Sequence, residues 1–156
     1  MGSMKATLRA AVAGVLLISL AGCQDVGIGC THARVEAEHA VYDRAAQEVV
    51  FTVRVTDRRG NPVADAPVAV IPLYGPKNPG GIPLIKPTTD ADGLARGRIA
   101  TEELKRQADF GGSLTDEWLA SFFPHEDING VFYCKESDHG ALPPGIVREV
   151  NATAID

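Results

Sequence analysis

A chain of 156 residues holds enough apolar material for one core and too little for two. Its 16 glycines, 10 prolines and 6% aromatic content favour a turn-rich β domain over a helical bundle. With a formal net charge of −5, no nucleic-acid partner is expected, because polyphosphate binding calls for a basic surface.

Residues 1–22 read as an export signal. Lys5 and Arg9 make a basic n-region, Ala10 to Leu20 is uncharged and mostly apolar, and small residues follow. The apolar run falls short of the ~20 residues that cross a bilayer as a helix. Leu20-Ala21-Gly22-Cys23 resembles the lipobox of bacterial lipoproteins at all four positions. The resemblance implies cleavage before Cys23, diacylglycerol on its thiol and acylation of the new amino group; a soluble secreted protein cut near Ala21 is the alternative. Two or three acyl chains hold a protein on a membrane where one does not. Gln24, in place of an aspartate that would resemble an inner-membrane retention signal, favours the outer membrane of the cell envelope. The expected organisation is a signal peptide over 1–22, a lipidated Cys23 with its tether over 23–31, and one domain over 32–156.

Loss of the signal removes two basic residues and no acid, so 13 bases face 20 acids and the net charge becomes about −7. Anionic lipid is then no more suitable than nucleic acid as a contact. Once Cys23 is lipidated, Cys30 and Cys134 remain as one pair in an oxidising compartment, and a disulfide between them is expected. Closing a loop of about a hundred residues is valued at ~4.7 kcal/mol by chain entropy. No metal and no cofactor are expected, for want of a further cysteine or a Cys/His pairing with zinc-ligand spacing.

Along the mature chain, Ala33 to Val41 alternates, with Ala33, Val35, Ala37, His39 and Val41 on one face. His39 there is expected as a hydrogen-bonded or partly exposed core histidine. Tyr42 to Glu48 reads as a turn. Val49, Phe51, Val53 and Val55 alternate with Thr52, Arg54 and Thr56 as a half-buried strand. Arg59-Gly60-Asn61-Pro62 breaks that pattern, with Gly60 and Asn61 suited to positive φ, and Val68 to Ile71 starts a second strand. Pro72 to Pro87 carries five prolines and three glycines, which exclude a regular central strand. It is expected to be a loop, either lying over the sheet edge or presenting Tyr74 and Lys77 at its tip, with Ile82, Leu84 and Ile85 apolar enough to pack. Thr89 to Gly93 reads as an Asx turn rather than a calcium loop, lacking the further acids of an EF-hand. Ala95, Gly97 and Ile99 then alternate with Leu94, Arg96 and Arg98 as another strand.

Val55-Thr56-Asp57, Gly60-Asn61-Pro62-Val63, Val68-Ala69-Val70 and Asp90-Ala91-Asp92-Gly93 resemble, in order and spacing, the bacterial immunoglobulin-like domains of the invasin and intimin group. Transthyretin-like domains share much of this pattern. The likeness spans roughly Ala33 to Ala100, and its motifs are structural. It implies an all-β, antiparallel β-sandwich with one core between its sheets.

After Ala100 the pattern departs from that group, with a helical insertion expected near Thr101 to Pro124. Glu102 and Glu103 before Lys105 and Arg106 suit a helix dipole. Thr115 is placed to cap a second helix bearing Trp118, Leu119, Phe122 and Phe123 as one stripe, staple positions at Leu114 and Leu119, and Pro124 as its stop. That helix either covers one end of the sandwich, with Trp118 in the core, or binds a partner. Val131 to Cys134 and Ile146 to Ile155 read as the last strands, around a polar loop from Glu136 to Gly145. His125-Glu126-Asp127 and Asp138-His139 are the acid/histidine clusters, without a positioned nucleophile. Asn151-Ala152-Thr153 fits a glycosylation pattern without meaning for a bacterial lipoprotein.

Three functions follow. The first is a non-enzymatic envelope lipoprotein, anchored to the membrane by its lipid, whose domain contributes structure or binds another envelope protein. The second is a small-ligand or glycan module using a surface of Tyr74, Lys77, Ile82, Trp118 and Phe122. The third is a metal-dependent hydrolase using His125, Asp127, Asp138 and His139.

Overall fold

Alternation of apolar and polar residues builds the first sheet. The computed structural model describes residues 29–76, 84–122 and 132–152. Strands β1 (Arg34–Asp43), β2 (Glu48–Thr56) and β4 (Leu94–Ala100) pair antiparallel in the order β1-β2-β4. Val49, Phe51, Val53 and Val55 on β2, and Ala95 and Ile99 on β4, are all buried on the inner face. Gly97 completes the β4 row because Ile85 lies on it: a Cβ there would come within 2.2 Å of the Ile85 side chain.

The alternation of β1 does not run through. A register shift between Ala37 and His39 makes a bulge, so the inward face passes from Val35 to Ala40 and Tyr42. His39, expected on the apolar face, and Val41, at 53% exposure, point to solvent as a consequence. A bulge changes which face each later side chain takes, and sequence alternation alone does not mark it.

A second sheet has the order β3-β5-β6, formed by β3 (Ala69–Pro76), β5 (Gly112–Ser121) and β6 (Ser137–Ala141), again antiparallel. The fold is therefore an all-β sandwich-like arrangement with two short helices, α1 (Thr101–Gly111) and α2 (Pro144–Ala152). The strands flanking the 57–68 connection belong to different sheets, so they pack across the core rather than pair as a hairpin. Gly60 takes positive φ in that connection, at 84°. The Asp90 to Gly93 turn forms as expected, with Gly93 at φ 72° and the Asp90 carboxylate accepting the Asp92 and Leu94 amides.

Both lateral openings between the sheets are stitched. On one side residues 84–88 run beside β3, where the Val70 amide donates to the Ile85 carbonyl at 2.9 Å and the Leu84 amide donates back at 3.1 Å. On the other side the Ala37 amide at the β1 bulge donates to the Asp138 carboxylate of β6 at 2.9 Å.

Three expectations for the later chain are overturned. The strand expected to end at Ile71 continues through Pro72 to Pro76; β3 is an edge strand, where a proline without an N–H is tolerated. The helix expected over 115–123 is β5 instead, within the described part of that range. Leu114, Trp118 and Ala120 share its inner face, Phe122 just beyond it is buried too, and the three residues between Leu114 and Trp118 oppose the single residue between Tyr74 and Pro72. Thr115 Oγ1 accepts the Glu117 amide at 3.2 Å, so the chemistry of a helix cap is used here to hold a strand irregularity. Lastly, Ile146 to Ala152, read as a strand, belongs to α2. Pro144 opens it, where a missing N–H costs nothing, and Ile146 and Val150 are buried one turn apart.

Further differences follow from these. The loop expected over Glu136 to Gly145 contains β6 and the start of α2. Tyr133, expected in a strand, makes a single parallel bridge to Thr31. The helix at Thr101 forms as expected, with Leu104 and Ala108 buried against the sandwich.

The core is one cluster. Phe51 of the first sheet meets Trp118 of the second edge-on, ring centroids 5.0 Å apart. Trp118 also covers Gly140 on the neighbouring strand, where a Cβ would fall 2.4 Å from its Nε1. One end of the sandwich is closed by the helices. The Tyr74 hydroxyl donates to the Leu104 carbonyl at 3.1 Å, and Asn151 of α2 exchanges two hydrogen bonds with the backbone of Leu114, at 2.8 and 2.9 Å.

Candidate functional site

At the opposite end the described residues leave an opening. A groove of about 570 Å³ lies there, lined among others by His32, Arg34, Asp57, Arg58, Arg59 and Glu136. It is assembled from the segment entering β1, the turn leaving β2 and the residues before β6.

The turn is organised by Asp57. Its carboxylate accepts the backbone amides of Arg59 and Asn61, both at 2.8 Å, and the Asn61 side-chain amide at 2.9 Å. These donors favour the ionised form, the Asn61 side chain most, and hold the carboxyl below its ordinary range. Asp57 is thereby committed to its own turn, with Arg59 adding a coulombic attraction, and the Arg58 and Arg59 side chains remain exposed. Arg34 pairs with Glu36 at 3.1 Å while remaining exposed. Three guanidinium groups against the carboxylates of Asp57 and Glu136 leave this groove a small basic excess on an otherwise acidic chain.

At the rim of the groove, Cys30 and Cys134 are joined as a disulfide with Cα atoms 4.7 Å apart, as expected from the sequence. His32 stands beside them: its ring nitrogen and the two sulfurs all lie within 4.8 Å of one another. Thr31, between Cys30 and His32, donates its amide to the Phe132 carbonyl at 2.6 Å and accepts the Cys134 amide at 3.0 Å.

Of the surface expected from the sequence, the three described residues are buried. Trp118 and Phe122 are 0% and 1% exposed, and Phe122 stacks on Tyr133 at 4.8 Å. Tyr74 is 3% exposed, with burial as the main cause raising its hydroxyl pKa. All three are core residues, because β5 and β3 turn them inward where a helix and a loop tip would have presented them. Lys77 and Ile82 lie outside the described residues, as do the signal peptide, Cys23, Gln24, Phe123, Pro124 and the His125-Glu126-Asp127 cluster. Of the other cluster, Asp138 is engaged by the Ala37 amide, and His139 is exposed with Nδ1 4.0 Å from a Glu117 carboxylate oxygen.

His32, Arg34, Arg58, Arg59 and Glu136 were not singled out by sequence. Two signals were nonetheless there: an Arg-Arg pair inside a turn, and a Cys-x-His spacing whose ends share one side of an extended segment. No family model matches the chain, and neither a curated protein nor a solved structure does.

Proposed function

We propose that this chain is a lipid-anchored protein of the bacterial envelope, and that its sandwich is a non-enzymatic, immunoglobulin-like module. In this reading the groove at the disulfide end binds an acidic stretch of a neighbouring envelope protein. The observation that carries the proposal is the cluster of Arg34, Arg58 and Arg59 on a chain of net negative charge. Guanidinium groups in a fork geometry suit carboxylates, and a local basic patch on an acidic protein steers an acidic partner to one place. Position supports it too. Cys30 follows Cys23 by seven residues, a span of at most ~25 Å at ~3.6 Å per residue. The groove therefore stays close to the lipid anchor, within reach of other membrane-held proteins. The glycan reading loses its stacking ring with Trp118 in the core.

Two measurements test the proposal. Cys23→Ala should move the protein from the membrane pellet to the soluble fraction; retention in the pellet would count against lipidation. A photocrosslinking residue at Glu136, an exposed lining position, should capture an envelope protein, and the adduct should disappear in an Arg58→Glu/Arg59→Glu background and weaken with salt. Capture that is indifferent to the charge reversal would remove the groove from the proposal.

A further inference from the structure

We propose that Cys30, His32 and Cys134 form a redox-gated site for zinc-type cations, closed as the disulfide and opened by a dithiol reductant. The two sulfurs are bonded to each other, and the His32 ring nitrogen lies within 4.8 Å of both. In a tetrahedral zinc site, with Zn–S near 2.3 Å and Zn–N near 2.0 Å, ligand atoms stand ~3.5 to 3.8 Å apart. Separation of the sulfurs after reduction, with a small turn of the imidazole, reaches that arrangement.

The groups are held together by more than the bond between the sulfurs. Cys30 and His32 face the same side because they flank one residue of an extended segment. That residue, Thr31, is clamped by its two backbone hydrogen bonds to Phe132 and Cys134. Tyr133, between those two partners, is buried and stacked on Phe122. Both ligand-bearing segments thus retain an anchor when the disulfide opens. His32 is exposed and lines the groove, which supplies an entry path for the cation. Three protein ligands leave a fourth coordination position for water or for a carboxylate of a bound partner.

The chemistry balances. A dithiol attacks one sulfur, the mixed disulfide resolves, and the protein is left with two thiols while the reductant leaves as its own disulfide. The cation displaces two thiol protons to solvent and is held by two thiolates and the neutral imidazole. A disulfide oxidant takes two electrons back from the sulfurs, reforms the bond and releases the cation.

The test uses the full chain carrying Cys23→Ala, so that only Cys30 and Cys134 supply thiols. After reduction with a phosphine, Co²⁺ should bind at one equivalent with thiolate-to-metal charge-transfer absorption, and Zn²⁺ should displace it. His32→Ala should weaken Zn²⁺ binding by ~10-fold or more, the scale expected for loss of a group that sets metal affinity. The oxidised chain should give no such absorption. A reduced chain that binds no Co²⁺, an unchanged affinity in His32→Ala, a signal from the oxidised chain, or unfolding on reduction that Zn²⁺ does not reverse would each overturn the site.

Discussion

The two sheets contain three antiparallel strands each, yet they are held differently. In β1-β2-β4 the inner face is a row of valines with Phe51, Ile99 and small residues, so its burial is spread over many positions. In β3-β5-β6 the inner face is interrupted by Pro72 and by the irregularity at Thr115 to Glu117. Its stability is concentrated in a few distant brackets: Trp118 between Phe51 and Gly140, Tyr74 against Leu104, and Asn151 on the Leu114 backbone. A sheet of distributed contacts tolerates loss at one point better than one that relies on brackets.

The largest effect should come at Trp118. Trp118→Ala is expected to cost ~3 to 5 kcal/mol, the range for deleting a large buried aromatic. Val53→Ala, at an equally buried position of the first sheet, removes part of a side chain whose full burial is worth ~1.5 to 3 kcal/mol. Urea midpoints of the two variants measure the contrast, and equal shifts would break it.

A smaller loss is expected from Asn151→Ala. It leaves the Leu114 amide and carbonyl without their reciprocal partners at a half-buried site, which costs ~1 to 3 kcal/mol. Hydrogen exchange should show faster opening at Leu114 and through α2, while the amides between β1 and β2 keep their protection. Exchange that rises uniformly across both sheets would mean that the bracket is not local.

The smallest effect concerns acid. Asp57 and Asp90, in the turns after β2 and before β4, are both held below the ordinary carboxylate range, chiefly by the Asn61 side chain and the Leu94 amide respectively. A depressed folded-state pKa contributes stability above the unfolded value, and that contribution is lost as pH falls through the folded one. Melting temperature should therefore drop on acidification below the normal carboxylate range, and Asp57→Asn should flatten that dependence. The turns of the first sheet should open before the Leu114 bracket does. An unchanged pH profile in Asp57→Asn would show that the turn gains nothing from ionisation.

The same division governs how far each part could be read from residues alone. The first sheet was legible because Val49 to Val55 and Ala95 to Ile99 need only the pleat to sort inside from outside. Its misreading at His39 and Val41 came from the bulge held by Asp138, 101 residues away from Ala37, and the turn expected from Tyr42 starts later because Tyr42 and Asp43 belong to β1. Beyond the start of β3, expected from Val68 to Ile71, the second sheet was not legible for the same kind of reason. Thr115-Asp116-Glu117 satisfies the local rules of a helix start, and Trp118 with Phe122 fits both a helical and a strand period. What selects the strand is the hydrogen bonding of β5 to β3 on one side and β6 on the other, together with the fit of the indole over Gly140. In α2, β-branched Ile146, Val147 and Val150 favoured a strand by propensity, while their packing against the sandwich selected the helix.

The candidate groove shows the limit most clearly. Cys30 and Cys134 were paired by their compartment and number, whereas His32, Arg34, Arg58, Arg59 and Glu136 come from three separate stretches that meet only at the open end of the sandwich. By itself the sequence determined an all-β domain with its turns at Arg59 to Pro62 and Asp90 to Gly93 and its cysteine pair, since each of these rests on local geometry or on residue count. Tertiary structure decided which apolar residues are core, which end the helices close and which charges gather, because those outcomes depend on pairing and packing between residues far apart in the chain.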